Sequence, residues 1–279
     1  MRNLIICLIT FTFVGCASHK IRDISYLPSD LKTQKKEPKL NIFLPYDKQT
    51  KKLSVVIFVH GGNWNSGDKD TYVLMGRNFA KKGIIAIIPD YTLSPDADYD
   101  QMTRQVAAAI IWTRDNAFRY EIDPKQIYVS GHSAGGHLAA LAVMNPKYGI
   151  PDGTVAGLIL NDAAGLDMKQ HLEFDPPTDS HDYLATWGND PEKWHDASPI
   201  YFIGKQTPPI LMYTGKNTFE MIRKGNQRFL DELRKFQPDV QPIIIKKNHF
   251  SMVIQYFFGR SRRYPEALDF IAKNAPKGS

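Results

Sequence analysis

Cysteine is nearly absent from this chain: two in 279 residues, Cys7 and Cys16, both within the first sixteen positions. The body of the sequence therefore offers no disulfide framework, no paired-cysteine zinc site and no thiol nucleophile. It also lacks a phosphate loop ending in Gly-Lys, a Gly-x-Gly-x-x-Gly dinucleotide fingerprint, internal repeats and low-complexity runs. No cofactor is called for. Basic residues outnumber acidic ones, 35 against 29, for a net charge of +6. They are spread through helix faces, the N-terminal segment and the stretch Arg260 to Lys277, which reads as solvated surface rather than a nucleic-acid face. Of the eight histidines, His171, His181 and His195 lie in an irregular stretch without ligand spacing, so no metal site is expected.

Strand-like runs at Leu40, Val55, Ile85, Ile127, Gly157, Ile210 and Ile243 alternate with helical patterns. The clearest helices are Thr71 to Lys82, Met102 to Phe118 with Met102, Val106 and Ile110 on one face, and Ile222 to Phe236. Alternation predicts one α/β domain over 39–279, with a mostly parallel sheet and a site at the carboxyl ends of its strands. A segment at about 163–207, rich in aromatics (Phe174, Tyr183, Trp187, Trp194), is expected to be a short cap over that site.

Two motifs carry chemistry. Gln126 to Ser130 reads as a buried strand and Gly136 to Ala142 as a helix. Between them, Gly131-His132-Ser133-Ala134-Gly135 has the form of a nucleophile elbow, where a sharp turn presents the serine hydroxyl to a cleft. Upstream, the strand Leu53 to Val59 runs into His60-Gly61-Gly62-Asn63-Trp64, a loop whose bare backbone suits an oxyanion hole. The amides of Gly62, Asn63 and Ala134 are its expected donors. A serine nucleophile needs an imidazole within hydrogen-bond reach. His249 sits in a turn between a late β-branched strand and a helix, where that base is wanted; His60, His132 and His137 are expected to support loop and helix geometry.

These motifs, with Asp90-Tyr91-Thr92-Leu93-Ser94-Pro95 and His249-Phe250-Ser251-Met252, resemble the α/β-hydrolase superfamily. The likeness, over about residues 39 to 275, is to its small esterases, similar to hormone-sensitive lipase and to microbial acetyl- and feruloyl-esterases. The resemblance implies a triad in the order Ser133, acid, His249. It places the acid three residues after the glycine that follows the penultimate strand, here Thr218 after Gly215. Threonine cannot fill that role. Glu220, the nearest carboxylate on the same loop, is the expected acid, with Asp162 and Asp167 as alternatives after the preceding strand.

At the N-terminus, Arg2 followed by the apolar run Leu4 to Val14 is too short for a comfortable span of about twenty residues and reads as a removable signal over 1–15. Phe13-Val14-Gly15-Cys16 resembles the bacterial lipoprotein box, which implies lipidation at Cys16, a tether over 16–38 and a membrane-anchored domain facing the periplasm. The expected function is hydrolysis of small or medium acyl esters, acetyl or feruloyl esters of carbohydrate among them. The alternatives are a kynurenine formamidase-like activity and a non-catalytic binding lipoprotein.

Overall fold

The structure is a computed structural model that describes residues 18–32, 36–46 and 52–276. The signal over 1–15 and Cys16 lie outside the described residues. Eight strands form one sheet: β1 (Ser18–Ser25), β2 (Lys39–Pro45), β3 (Leu53–Val59), β4 (Ile85–Pro89), β5 (Ile122–His132), β6 (Val155–Asn161), β7 (Ile210–Asn217) and β8 (Ile243–Asn248). Their spatial order is β1-β2-β4-β3-β5-β6-β7-β8. β1 and β2 run antiparallel to their neighbours; every pairing from β4 through β8 is parallel. This is the mostly parallel α/β sheet that the alternating pattern predicts.

The buried stretches of the central strands, Val55 to Val59, Ile127 to Val129 and Leu158 to Leu160, are apolar because both faces are covered. Alternate side chains point to opposite faces. Val55, Ile57, Ile127, Val129, Leu158 and Leu160 enter the larger of two cores, whereas Val56, Phe58, Tyr128 and Ile159 enter the other. Helices α1 (Val73–Ala80), α2 (Tyr99–Asp115) and α3 (Ala134–Met144) follow β3, β4 and β5. In α2, Met102, Val106 and Ile110 are fully buried on one face as expected, and Asp98 caps its N-terminus by accepting from the Gln101 amide. The segment expected to be a cap folds into α4 (Met168–Phe174), α5 (Tyr183–Trp187) and α6 (Pro191–Asp196). Then come α7 (Glu220–Leu233), α8 (His249–Ile254) and α9 (Arg263–Asn274).

One expectation is corrected. The stretch expected to be a tether up to residue 38 contributes β1, paired in register with β2 from Ser18 opposite Pro45 to Ser25 opposite Lys39. Its polar composition disguises it. An edge strand exposes one ladder to water and carries charge to discourage further pairing, while its sparse apolar residues Ile21 and Ile24 pack on the main core. The strand is held by an ionic cluster. Lys20 pairs with Asp70 at 2.7 Å, and the buried Lys69 ammonium lies 3.0 Å from Asp23, 3.3 Å from Asp70 and 3.2 Å from Asp90.

Candidate active site

Ser133 stands at the junction of β5 and α3 with φ 54° and ψ −126°, a conformation a non-glycine residue holds only when its surroundings enforce it. The turn closes tightly enough that a Cβ on Gly135 would meet the Val59 carbonyl oxygen at 2.1 Å. The Ser133 carbonyl accepts from the Ala164 amide at 3.1 Å, which ties the elbow to the segment after β6. His249 opens α8, and Asn248 caps that helix by accepting from the Ser251 amide. The imidazole Nε2 lies 2.8 Å from Ser133 Oγ, and Nδ1 lies 2.6 Å from Asp162 Oδ2. Asp162 is completely buried.

The carboxylate that meets His249 therefore differs from the acid expected. Glu220 sits in the first turn of α7, two-thirds exposed, and pairs with Lys224 at 2.8 Å. The chain turns into α7 at Phe219, so Glu220 faces solvent, where a carboxylate suits a helix N-terminus. Asp162, one of the alternatives, takes its place. It follows β6 with φ 50°, a left-handed backbone that aspartate tolerates better than most residues. Its Oδ1 accepts from the Gly215 amide at 2.8 Å, and its Oδ2 accepts from Thr218 Oγ1 at 2.5 Å as well as from His249. The other alternative, Asp167, caps α4 and pairs with Arg228 at 2.6 Å. The only sequence signal for Asp162 is an acidic residue directly after a buried apolar strand.

The His60-to-Trp64 loop packs against Ser133: a Cβ on Gly61 would lie 3.1 Å from Ser133 Cβ. Gly62, Asn63 and Trp64 all have positive φ. At Gly62 a Cβ would reach the Ser66 carbonyl oxygen at 2.0 Å. Among the described residues the amides of Gly62, Asn63 and Ala134 donate to no backbone carbonyl outside regular elements, and Ala134, as the first residue of α3, has no partner within its helix. The cap holds this loop, which sequence reasoning missed. Tyr183 Oη donates to Asn63 Oδ1 at 2.7 Å, Asn65 Nδ2 donates to the His181 carbonyl at 3.1 Å, and Trp64 packs edge-on against Trp187.

The supporting histidines are neutral and fixed. His137 accepts from Trp64 Nε1 at Nδ1 (3.1 Å) and donates from Nε2 to the Ala197 carbonyl (2.7 Å), joining loop, α3 and cap. His132 donates from Nε2 to the His249 carbonyl at 3.0 Å and stacks on that imidazole. Burial pushes His137 down to about 4; burial, aided by the charge on His249, pushes His132 down to about 3. The unfolded chain, with histidines near 6.5, takes up protons that the folded chain refuses. Stability from this source is thus complete above that value and falls as the pH drops from about 6.5 towards 4. His137→Gln keeps a donor and an acceptor without a titrating group. Comparing denaturant melts at pH 7 and pH 5, we expect it to shrink the acid-induced loss by about 2 kcal/mol; an unchanged loss would mean that His137 is not held neutral.

A groove of about 500 Å³ lies between the segment after β6 and α7, lined by Ala163, Leu166, Phe174, Met221 and Arg228 among others but by none of Ser133, Asp162 and His249. At the site itself, exposed Phe219 and Phe250 flank His249 with ring centroids 5.3 Å and 5.7 Å away.

Comparison with known proteins agrees with this geometry. A family model described as BD-FAE matches residues 40–222. Esterase LipC of Mycobacterium tuberculosis is 30% identical over 212 residues, which span 70% of this chain and 52% of LipC. Kynurenine formamidase of Danio rerio is 30% identical over 105 residues, 38% of this chain and 34% of that protein. The thermophilic esterase Est2 of Thermogutta terrifontis superposes with a TM-score of 0.69 at 25% identity, covering 89% of this chain and 93% of its own. The chain spans about half or less of the length of the curated relatives it matches.

Proposed function

The chain belongs to the BD-FAE family, and from that premise we propose that it is a serine carboxylesterase acting on small or medium acyl esters. One observation carries the reading: a continuous relay from Ser133 Oγ to His249 Nε2 at 2.8 Å and from His249 Nδ1 to Asp162 at 2.6 Å. Ser133 Oγ attacks the ester carbonyl while His249 Nε2 takes its proton. Asp162 holds the imidazole with Nδ1 protonated and stabilises the imidazolium. The amides of Gly62, Asn63 and Ala134 receive the oxyanion. His249 then passes the proton to the departing alcohol, and water, deprotonated by the same nitrogen, releases the acid from Ser133. Phe219 and Phe250 offer flat apolar faces beside His249. Acetyl or aryl-acyl esters of carbohydrate suit such a site.

The partial match to a kynurenine formamidase favours a second reading, a formyl-amide hydrolase on the same relay. The binding-protein reading loses its motive, since Asp162 supplies the carboxylate missing at Thr218. We also propose export and lipid attachment at Cys16, on the N-terminal pattern alone; Cys16→Ser should move the protein from the membrane to the soluble fraction, and continued sedimentation with membranes would refute it. The deciding measurement for activity is turnover of p-nitrophenyl acetate beside N-formylkynurenine. Faster ester turnover is expected. Faster formamide turnover would transfer the assignment to the second reading, and absence of both would overturn the hydrolase reading.

A further inference from the structure

The hydroxyl of Thr218 touches the relay from the side. Its Oγ1 lies 2.5 Å from Asp162 Oδ2 and 3.5 Å from His249 Nδ1. An ionised carboxylate only accepts, so the threonine proton is committed to Oδ2, the oxygen that also takes Nδ1–H of His249. The Gly215 amide holds the other oxygen, and Thr218 closes the turn by donating its own amide to the Gly215 carbonyl at 3.3 Å. One short turn thereby fixes both ends of the carboxylate. Sheet register adds a second fact. Asn217 of β7 pairs with Asn248 of β8, so residues 218 and 249 follow at the same level on adjacent strands. Asp162 comes from β6, where Asn161 pairs with Tyr213, and must reach across β7 to serve the same nitrogen.

Resting on the serine-hydrolase reading, we propose that Thr218 is a positioning residue that locks the Asp162 carboxylate against His249. Through its hydroxyl, Thr218 sets the rotation of Asp162 by a charge-assisted hydrogen bond.

The test uses the full folded protein in three variants, each checked by circular dichroism. Thr218→Val, which keeps the shape and removes the donor, should lower kcat on p-nitrophenyl acetate about ten- to a hundredfold with KM unchanged, while Thr218→Ser stays within about twofold of wild type. Asp162→Asn should lose both rate and the far-downfield proton resonance of His249 Nδ1–H; Thr218→Val should shift or broaden that resonance, while Thr218→Ser keeps it. A Thr218→Val enzyme as fast as wild type would overturn the positioning role. A wild-type protein without ester turnover would instead defeat the hydrolase reading, and the resonance in Thr218→Val would still decide whether Thr218 holds Asp162 against the imidazole.

Discussion

Ser133→Ala is expected to lower kcat on p-nitrophenyl acetate by about a million-fold, to the residual rate that binding and an oxyanion hole alone sustain. The loss should fall on chemistry and spare the fold. Alanine inherits the same strained φ of 54°, since only glycine would relieve it, so the strain of about 1–3 kcal/mol held at the elbow stays. Oγ bonds to His249, and its removal leaves Nε2 at the mouth of the site, where water can reach it. The melting temperature should therefore barely move. A phosphonate that modifies the wild-type protein once, at the peptide containing Ser133, should leave the variant untouched. Undiminished hydrolysis by Ser133→Ala would place the nucleophile elsewhere.

Asp162→Asn should cost about ten-thousandfold in kcat, because an amide that turns its N–H towards Nδ1 favours the tautomer in which Nε2 cannot accept the serine proton. Glu220→Gln should leave kcat within about twofold, since its solvent-exposed pair with Lys224 is screened by water and touches nothing in the relay. The two substitutions together separate the observed acid from the expected one. A large fall in Glu220→Gln with Asp162→Asn near wild type would reverse the assignment. Both variants should unfold at similar denaturant concentrations only if the amide introduced by Asp162→Asn keeps the Gly215 and Thr218 partners, so melting curves belong beside the rates.

The parts of the molecule legible in the sequence are those where a local pattern has a single physical solution. β3 from Val55 to Val59 and β5 from Ile127 to Val129 are apolar because both faces are buried, and the turns after them need glycine at fixed offsets, so the elbow and the His60-to-Trp64 loop stand out as motifs. His249 stands out because few other histidines lie between a strand and a helix late in the chain. Asp162 is harder to find. Its selection depends on a left-handed backbone angle after β6 and on the level at which β7 and β8 end, neither of which composition or spacing encodes. The same holds for Tyr183 and Asn63, whose contact spans 120 positions. β1 is hidden by its charge, which is what an edge strand carries.

That edge strand also gives the molecule a front and a back. β1 runs antiparallel to β2, and β2 antiparallel to β4, so β1 points the same way as the parallel strands whose far ends carry Ser133 and Asp162. Ser18, opposite Pro45, consequently enters at the rear of the sheet, at the end opposite to the one where Ser133 and Asp162 stand and at the edge furthest from β8.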